Sequence, residues 1–478
     1  MMTASYGDDS PITAFATIPG SSALTLIRCS GKGSLDLMAS VFSAPEKIKA
    51  AWGNSVVHGW IMKAGEKIDD VLVSIFRAPR SYTGEDSVDI SCHGGMSAGR
   101  AVLETLKAAG FRDALPGEFT FRAFMNGKLD LTRSESVMEL VSAKNETGRS
   151  HAVKRLSGAL EMEINAIKKT LVEVLSGAEI YLDYSEDEIG ANTDEDAGRL
   201  PGQSQAREVL ARLEKLAASW QRERIYQQGI LAVIAGRPNA GKSSLFNALL
   251  KEDRSIVTEI PGTTRDWIEA WVSIEGIPVR LADTAGLRDS ADPVEKLGVE
   301  RSRELLDEAE LILYLIDGRE GVTENDRIFF DEYEKSRNGS AERDNPAALI
   351  SVWNKADIAP MPLSFDAARA VSVSAKTGEG IAELGRAIAE VVEARTDTFA
   401  DNSDSAQTAA LGSARQKVLV DTARSALEEA LSLAERGEPL DIIAPLLREA
   451  VNALGEITGE VSTADILEQM FSRFCVGK

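Results

Sequence analysis

Residues 236 to 243 read Gly-Arg-Pro-Asn-Ala-Gly-Lys-Ser, and the apolar run Ile230 to Ala235 leads directly into them. Glycines and a lysine at this spacing form a phosphate-binding loop, in which successive backbone N–H groups point inward around the phosphates. Lys242 adds a positive charge, and Ser243 offers a hydroxyl group to Mg²⁺. The stretch therefore predicts a strand, a phosphate loop and a helix that together hold a nucleoside triphosphate.

Four further motifs follow in the order that a guanine-nucleotide domain requires. They are Thr263-Thr264 in the stretch Pro-Gly-Thr-Thr-Arg-Asp, Asp283-Thr284-Ala285-Gly286, Asn354-Lys355-Ala356-Asp357 and Ser374-Ala375-Lys376. Asp357 is expected to select the base, because its carboxylate can accept two hydrogen bonds from the ring N–H and the exocyclic amine of guanine. Adenine offers no such pair, and a carboxylate left short of donors costs about 1–3 kcal/mol. We therefore predict GTP; a solvated loop acid is the alternative interpretation of Asp357.

The predicted GTP site takes in the phosphate loop, the switch segments and the base motifs. Its residues are Asn239, Ala240, Gly241, Lys242, Ser243, Ser244, Thr258, Glu259, Ile260, Pro261, Gly262, Thr263, Thr264, Asp283, Thr284, Ala285, Gly286, Asn354, Lys355, Asp357, Ser374, Ala375 and Lys376.

Length and charge limit the classes of protein that this chain can represent. At 478 residues it is too long for one core, and a formal net charge of −22 predicts repulsion from a phosphate backbone. Only three cysteines occur, without metal-ligand spacing, and no apolar run approaches the roughly 20 residues of a membrane span. We expect a cytoplasmic protein without a membrane span, in which any contact with nucleic acid is local or provided by a partner.

The pattern of apolar residues divides the chain into regions of different structure. Short β-rich runs alternate with helix-length stretches from about Ile230 to Glu393, which predicts a doubly wound, mostly parallel sheet. Amphipathic helical periodicity runs through residues 131–225, with a break near Asp183 to Gly202, and returns from Ala414. We therefore predict one helical domain, residues 131–228 and 396–478, interrupted by residues 229–395. Residues 1–130 are mixed and predict an α/β domain. A linear string of separate helical domains is the alternative.

Hydrolysis of GTP needs an unusual source of assistance in this chain. Leu287 stands after Asp-Thr-Ala-Gly, where most switch GTPases carry a glutamine that orients the attacking water. Two substitutes are visible, Asn239 in the phosphate loop and Glu295 past the second switch. The amide oxygen of Asn239 can help to hold a monovalent cation in the space that an arginine finger fills. The alternatives are a loop asparagine and an exposed helix acid; Arg265 is a further candidate beside the first switch.

These motifs, together with five stretches outside the nucleotide region, closely resemble the MnmE (TrmE) family of tRNA-modification GTPases. The stretches are Tyr82-Thr83-Gly84-Glu85-Asp86, His93-Gly94-Gly95, Pro116-Gly117-Glu118-Phe119, Asn126-Gly127-Lys128-Leu129-Asp130-Leu131 and Cys475-Val476-Gly477-Lys478. The resemblance covers the whole chain. It implies an N-terminal α/β tetrahydrofolate-binding and dimerisation domain, a discontinuous helical domain, and an inserted Ras-like P-loop GTPase domain.

The resemblance also implies ligands for the metal ions and for a folate. Mg²⁺ would be held by Ser243 and Thr264. K⁺ would be held by Asn239, Thr258, Ile260 and Thr263, with Glu295 positioning the catalytic water. A 5-formyl- or methylene-tetrahydrofolate would be bound by Arg28, Glu85, Lys128 and Lys478. Cys475 would either act on the one-carbon unit or only pack beside it.

The implied activity needs further partners. The family forms a homodimer and a heterotetramer with the flavoprotein MnmG, which supplies FAD and NADH chemistry and most of the tRNA-binding surface. Together they add an aminomethyl or carboxymethylaminomethyl group to the wobble uridine of certain tRNAs. One departure is that Gly20-Ser21-Ser22-Ala23 replaces the family's Gly-Arg-Gly-Gly run, which puts the contacts of this loop with folate or a second subunit in question.

Two other functions compete with this interpretation. The first is a regulatory GTP switch without modification chemistry, of the ribosome-assembly type, although no basic RNA-binding pattern follows Glu393. The second is a folate-dependent one-carbon transferase that uses its GTPase domain only for control. Such a transferase would act without a flavoprotein partner.

Overall fold

The computed structural model describes residues 6–183, 200–252, 268–283, 305–339, 347–363, 365, 369–396, 409–461 and 464–478. The chain divides into two compact units. The first unit comprises Met1–Met138, Lys154–Glu214 and Ala414–Lys478, and the second comprises Glu139–Val153 and Lys215–Ser413. The second unit is thus inserted, in sequence, into the first.

The N-terminal part of the first unit is built on a six-stranded sheet. Its strands are β1 (Ile12–Phe15), β2 (Leu24–Ser30), β3 (Ser55–Lys63), β4 (Glu66–Phe76), β5 (Ser87–His93) and β6 (Arg112–Asp113). The spatial order is β3-β4-β5-β2-β1-β6, and only β1 and β6 pair in parallel. Alternation along β2 buries Ile27 and Cys29 and directs Arg28 to the opposite face of the sheet.

One face of this sheet carries the core of the N-terminal region, together with three helices. These helices are α1 (Ser34–Ser40), α2 (Pro45–Ala50) and α3 (Met96–Ala109). Met38, Ile48, Val102 and Leu106 are fully buried in the same cluster as the inward residues of the strands. Burial of such a side chain stabilises the fold by about 1.5–3 kcal/mol. The sequence predicted an α/β domain here but not β1, β3, α1 or α2; β1, α1 and α2 have only four to seven residues, too few to show a period.

Five helices follow the N-terminal sheet within the described residues up to Gln228. They are α4 (Glu118–Met125), α5 (Leu131–Ser142), α6 (Glu146–Leu156), α7 (Ala159–Asp183) and α8 (Gln203–Gln228). Along α7 the fully buried residues Leu160, Ile164, Ile167 and Leu171 repeat at intervals of three and four, as the sequence pattern predicted.

The second unit contains a six-stranded, doubly wound sheet. Its elements are β7 (Ile230–Gly236), α9 (Lys242–Glu252), β8 (Ile268–Ile274), β9 (Ile277–Asp283), β10 (Leu311–Asp317), α10 (Glu324–Gly339), β11 (Ala348–Asn354), β12 (Ala370–Ser372) and α11 (Ile381–Thr396). The spatial order is β12-β11-β10-β7-β9-β8, and only β8 runs antiparallel to its neighbour. The predicted runs correspond to the parallel strands. The edge strand β8 was missed, because polar residues interrupt its sequence, Ile-Glu-Ala-Trp-Val-Ser-Ile.

The β8–β9 hairpin is fastened at its turn to the segment between α5 and α6. The side-chain amide of Asn145 donates to the carbonyl oxygen of Gly276 at 2.8 Å. The ammonium group of Lys144 lies 3.1 Å from the ring centroid of Trp271. The turn of the hairpin and the residues that precede α6 are therefore joined within the second unit.

Three further helices after the inserted unit complete the first unit. They are α12 (Ala414–Glu435), α13 (Leu440–Thr458) and α14 (Ala464–Phe471). α13 packs against both α12 and α7, and Arg448 of α13 pairs with Glu179 of α7. The guanidinium group of Arg415 donates to both carboxylate oxygens of Glu135 in α5. The two helical parts, separated in sequence by the insertion, thus form one discontinuous helical domain. None of the helices among the described residues is long and apolar enough to cross a membrane.

Candidate functional site

The phosphate loop connects the carboxyl end of β7 to the first turn of α9. Its two glycines are required by their surroundings. A Cβ atom at Gly236, where φ is +136°, would lie 2.5 Å from the carbonyl oxygen of Leu315, and one at Gly241, where φ is +99°, would lie 2.3 Å from Nδ2 of Asn354. The loop is therefore packed tightly between β10 and the base motif that follows β11, at the edge of the sheet where α/β folds bind ligands.

Lys242 and Ser243 occupy the first turn of α9. The buried ammonium group of Lys242 donates to the carbonyl oxygens of Gly236 and Arg237, each at 2.9 Å. The hydroxyl group of Ser243 donates to Oδ2 of Asp283 at 2.8 Å. A hydroxyl and a carboxylate at this spacing are the hard oxygen donors that Mg²⁺ prefers, so the residues present fit that ion.

The base motif after β11 also holds the phosphate loop. The side-chain amide of Asn354 donates to the carbonyl oxygen of Ala240 at 2.8 Å, and its oxygen accepts from the backbone N–H of Ala375 at 3.1 Å. The ammonium group of Lys355 donates to the carbonyl oxygen of Asn239 at 2.9 Å. Three motifs that are far apart in sequence, beginning at residues 236, 354 and 374, therefore meet at one end of the sheet.

Asp357 lies at the exposed end of the same motif. Its Oδ1 atom accepts a 2.7 Å hydrogen bond from the hydroxyl group of Ser374, which fixes the orientation of the carboxylate. This arrangement directs Oδ2 away from Ser374, where it can accept hydrogen bonds from a base.

Asn239 is held in the phosphate loop through its backbone. Its φ angle is +64°, in the left-handed region that asparagine tolerates better than most residues. The residue is exposed while its carbonyl oxygen is bound by Lys355. Its side-chain amide oxygen is of the type that coordinates alkali cations, so this residue fits the expected K⁺ site.

Several predicted residues lie outside the described residues. They are Thr258, Glu259, Ile260, Pro261, Gly262, Thr263, Thr264, Arg265, Thr284, Ala285, Gly286 and Glu295. Of the predicted metal ligands, Ser243 and Asn239 are therefore the two with a described geometry, and the roles of the others stay predictions.

A second cluster lies in the first unit and contains the predicted folate residues. Arg28 donates to both carboxylate oxygens of Asp89, at 3.0 and 3.2 Å, and its guanidinium carbon lies 5.7 Å from the ring centroid of Tyr82. Glu85 accepts from the hydroxyl group of Ser30 at 2.8 Å. Lys128 donates to the carbonyl oxygen of Pro79 at 3.1 Å.

The C-terminal residues are fastened to this cluster through their backbone. The carbonyl oxygen of Lys478 accepts from the N–H of Phe119 at 3.2 Å, and that of Cys475 accepts from the N–H of Gly117 at 3.3 Å. Phe119 in turn lies under the guanidinium group of Arg28, at 5.9 Å from its ring centroid. Two of the four predicted folate residues, Arg28 and Lys478, thus both contact Phe119.

The three cysteines differ in their capacity to react. Cys29 and Cys92 are buried, which raises the pKa of their thiols to about 12 and about 11. Both thiols stay protonated at neutral pH and are therefore poor nucleophiles. Cys475 is exposed, so it is the accessible thiol beside the second cluster.

Two comparisons with known proteins bear on this pair of clusters. A family model described as "GTP-binding protein TrmE N-terminus" matches residues 11–128, and one described as "MnmE helical domain" matches residues 131–475. A protein of Treponema denticola named tRNA modification GTPase MnmE is 42% identical to this chain, with 100% of both chains aligned.

The chain belongs to the MnmE family.

Other relatives that carry the same name are similarly close. The MnmE protein of Aquifex aeolicus is 40% identical, with 98% of this chain and 99% of the relative aligned, and that of Carboxydothermus hydrogenoformans is 37% identical with the same coverage. The expected family membership and fold class are both confirmed: this MnmE-family chain has an N-terminal α/β domain, a discontinuous helical domain and an inserted P-loop GTPase domain.

Each of the two clusters of this MnmE-family chain contains a charged residue that was not predicted from the sequence. Arg122 is buried and donates to Glu85 at 3.2 Å, to Glu118 at 2.9 Å and to the carbonyl oxygens of Asp8 and Ser10. Asp317 at the end of β10 accepts from Lys355 and Arg319. Burial opposes ionisation of Asp317, but these hydrogen bonds dominate and lower its pKa to about 2. Neither residue belongs to a short motif, so the sequence offers no signal that identifies it.

Proposed function

We propose that this MnmE-family chain hydrolyses GTP with Mg²⁺ and K⁺, and that hydrolysis drives a step in the modification of the wobble uridine of certain tRNAs. Membership in the family makes the chain a GTP-hydrolysing enzyme of tRNA modification. The observation that carries the proposed mechanism is the position of Asn239, exposed in the phosphate loop and held through its carbonyl oxygen by the base motif.

The chain's own residues would divide the work as follows. Asn354 and Lys355 hold the loop backbone, and Asp357 recognises guanine. Lys242 could exchange its two carbonyl partners for phosphate oxygens, and Ser243, which donates to Asp283, would hold Mg²⁺ through its hydroxyl group. Bound K⁺ would supply positive charge between the β- and γ-phosphates, the role of an arginine finger in other GTPases. Glu295, Thr264 and the remaining switch residues keep their predicted roles in this scheme, with Arg265 as an auxiliary cation.

Asn239→Ala is expected to remove stimulation by K⁺. An alanine has no oxygen to replace the amide ligand, so turnover in KCl should fall to the level in NaCl at equal ionic strength. The measurement is the initial rate of GTP hydrolysis in each salt, with Asn247→Ala, an exposed asparagine of α9, as the matched control. Equal rates for the wild type in both salts would contradict the cation mechanism.

The proposed one-carbon donor is a tetrahydrofolate derivative bound by Arg28, Glu85, Lys128 and Lys478. The support is chemical: a carboxylate among hydroxyl groups can accept from the N–H groups of a pterin, while cations suit the folate carboxylates. Glu85 already shares its charge with Arg122, so Arg122 joins this proposed set as the residue that orients Glu85.

Arg28→Ala is expected to weaken binding of 5-formyltetrahydrofolate by about 10- to 100-fold, the loss of a charge-assisted hydrogen bond. Isothermal titration calorimetry measures the dissociation constant of this complex. Arg77→Ala is the control, because Arg77 belongs to the same domain and donates to the backbone of Ala51 and Lys49. Unchanged affinity in Arg28→Ala would show that this arginine does not contact the folate. Undetectable binding to the wild type would contradict the proposed folate site as a whole.

The proposed reaction involves a homodimer of this chain and a heterotetramer with the flavoprotein MnmG. That partner would supply FAD and NADH chemistry and most of the tRNA surface, which agrees with the net charge of −22 on this chain. The test is mass spectrometry of wobble uridines from a strain that lacks this chain. Normal modification in that strain would contradict the proposal.

A further inference from the structure

The end of β10 and the first turn of α10 carry no nucleotide motif, yet each contributes an acidic residue that pairs with a cation in contact with the phosphate loop. Asp317 accepts from Lys355, whose ammonium group also donates to the carbonyl oxygen of Asn239. Asp326, which is fully buried, lies 3.3 Å from the guanidinium group of Arg237, and the carbonyl oxygen of Arg237 is one partner of Lys242. The two acids therefore support the phosphate loop at two positions, Asn239 and Arg237.

Of the two acids, Asp317 has the more direct path to Asn239. Its side chain is 5% exposed, and it accepts from the backbone and the guanidinium group of Arg319 as well as from Lys355. A buried carboxylate stays charged only when it is paired and hydrogen-bonded, and these donors meet that condition. The negative charge fixes the ammonium group of Lys355 where it reaches the loop.

Asn239 needs to be held because its backbone lies in a sparsely populated conformation. A φ angle of +64° costs asparagine less than it costs most residues, but it is still less populated than the right-handed and extended regions, so contacts with the surroundings help to keep it. The bond from Lys355 to the carbonyl oxygen of Asn239 is a restraint on that residue, and the direction of its side chain depends on the same backbone.

We infer that Asp317 is a positioning residue, which acts through Lys355 to fix the backbone of Asn239 and thereby the direction of its amide oxygen. The inference deepens the proposed cation mechanism and rests on it for its effect on turnover. Its structural part, the restraint on the loop, does not depend on any cation. The base motif, to which Lys355 belongs, would then be joined to the proposed cation site through that one residue.

The test compares Asp317→Asn with Arg319→Ala. Asp317→Asn keeps the shape of the side chain and removes its charge, whereas Arg319→Ala removes the half-exposed partner of Asp317 and leaves Lys355 in place. Hydrogen–deuterium exchange of a peptide that spans residues 236–241 is measured without nucleotide and in NaCl. We expect exchange at least threefold faster in Asp317→Asn and unchanged in Arg319→Ala.

Turnover supplies the second measurement. At saturating GTP the K⁺ concentration for half-maximal activation is expected to rise at least fivefold in Asp317→Asn. In an Asn239→Ala background, Asp317→Asn should have no further effect on the response to K⁺, because the residue through which it acts is gone. Circular dichroism verifies that each variant is folded.

The outcomes separate this inference from the proposed function. A wild type whose turnover does not respond to K⁺ refutes the cation mechanism. The hydrogen–deuterium exchange of residues 236–241 in Asp317→Asn then tests by itself whether Asp317 restrains the loop. Weaker binding of a fluorescent GDP by Asp317→Asn, with loop exchange and K⁺ response both unchanged, would show that Asp317 serves only the base site and would overturn the inference. If Asp317→Asn does not fold, Lys355→Met tests the same restraint from the other side, and unchanged loop exchange in that variant would overturn it too.

Discussion

Lys242→Ala is expected to lower kcat for GTP hydrolysis by about 10²- to 10³-fold, the usual effect of removing one preorganised donor from developing charge. Lys242 is buried at the start of α9, and its ammonium group is bound by two loop carbonyl oxygens at 2.9 Å each. An incoming phosphate can replace these neutral acceptors with charged ones, so the ammonium group needs no large movement. The alanine variant leaves both the phosphates and the carbonyl oxygens without this partner.

The measurement for Lys242→Ala is the steady-state rate of hydrolysis at saturating GTP in KCl and Mg²⁺. Lys251→Ala, at the exposed end of the same helix, is the matched control for loss of a positive charge near the site. A rate within threefold of the wild type would contradict the assignment of Lys242 to the transferring phosphate.

Asp357→Asn is expected to weaken binding of GDP by at least about 100-fold and to shift preference toward the xanthine nucleotide. Two charge-assisted hydrogen bonds to guanine are worth about 1.5–3 kcal/mol each, and 1.4 kcal/mol is a factor of ten in affinity. Ser374 orients the group, since its hydroxyl bonds Oδ1 of Asp357 at 2.7 Å. In the variant the amide oxygen can keep that bond while the amide nitrogen replaces Oδ2. Xanthine presents a carbonyl oxygen there, where guanine presents an amine.

Fluorescence titration with labelled GDP and labelled xanthosine diphosphate measures this change of preference. Asp331→Asn, an exposed acid on α10, controls for the loss of one negative charge. Parallel losses for both nucleotides in Asp357→Asn would indicate a damaged fold rather than altered recognition of the base.

The sequence was sufficient for those parts of the fold and site that depend on local patterns. The phosphate loop and the base motif can be recognised from a few residues, and a long periodic helix such as α7 can be recognised from a few turns. The discontinuous helical domain was also predictable as the simplest arrangement, although only the structure shows Arg415 bound to Glu135, 280 positions earlier.

What the sequence did not reveal depends on partners that are distant along the chain. Arg122 meets Glu85 across 37 positions, and Asp317 meets Lys355 across 38. Each is one charged residue among 128, and an isolated acid or base reads as a solvated surface group. The hydrogen bond between the backbones of Phe119 and Lys478 was missed for the same reason, because no local pattern relates residues so far apart in the chain.

The β8–β9 hairpin has a consequence for how motion can spread in the second unit. Ile268 and Asp283 are register partners, so the two predicted switches join one end of a paired ribbon, while its turn is tied to Asn145. Seven residues of strand make a lever about 20 Å long, and a tilt of about 10° at the switch end displaces the turn by about 3–4 Å. If loss of the γ-phosphate rotated the switch end of the hairpin slightly, the residues that lead into α6 would therefore be displaced by a larger distance.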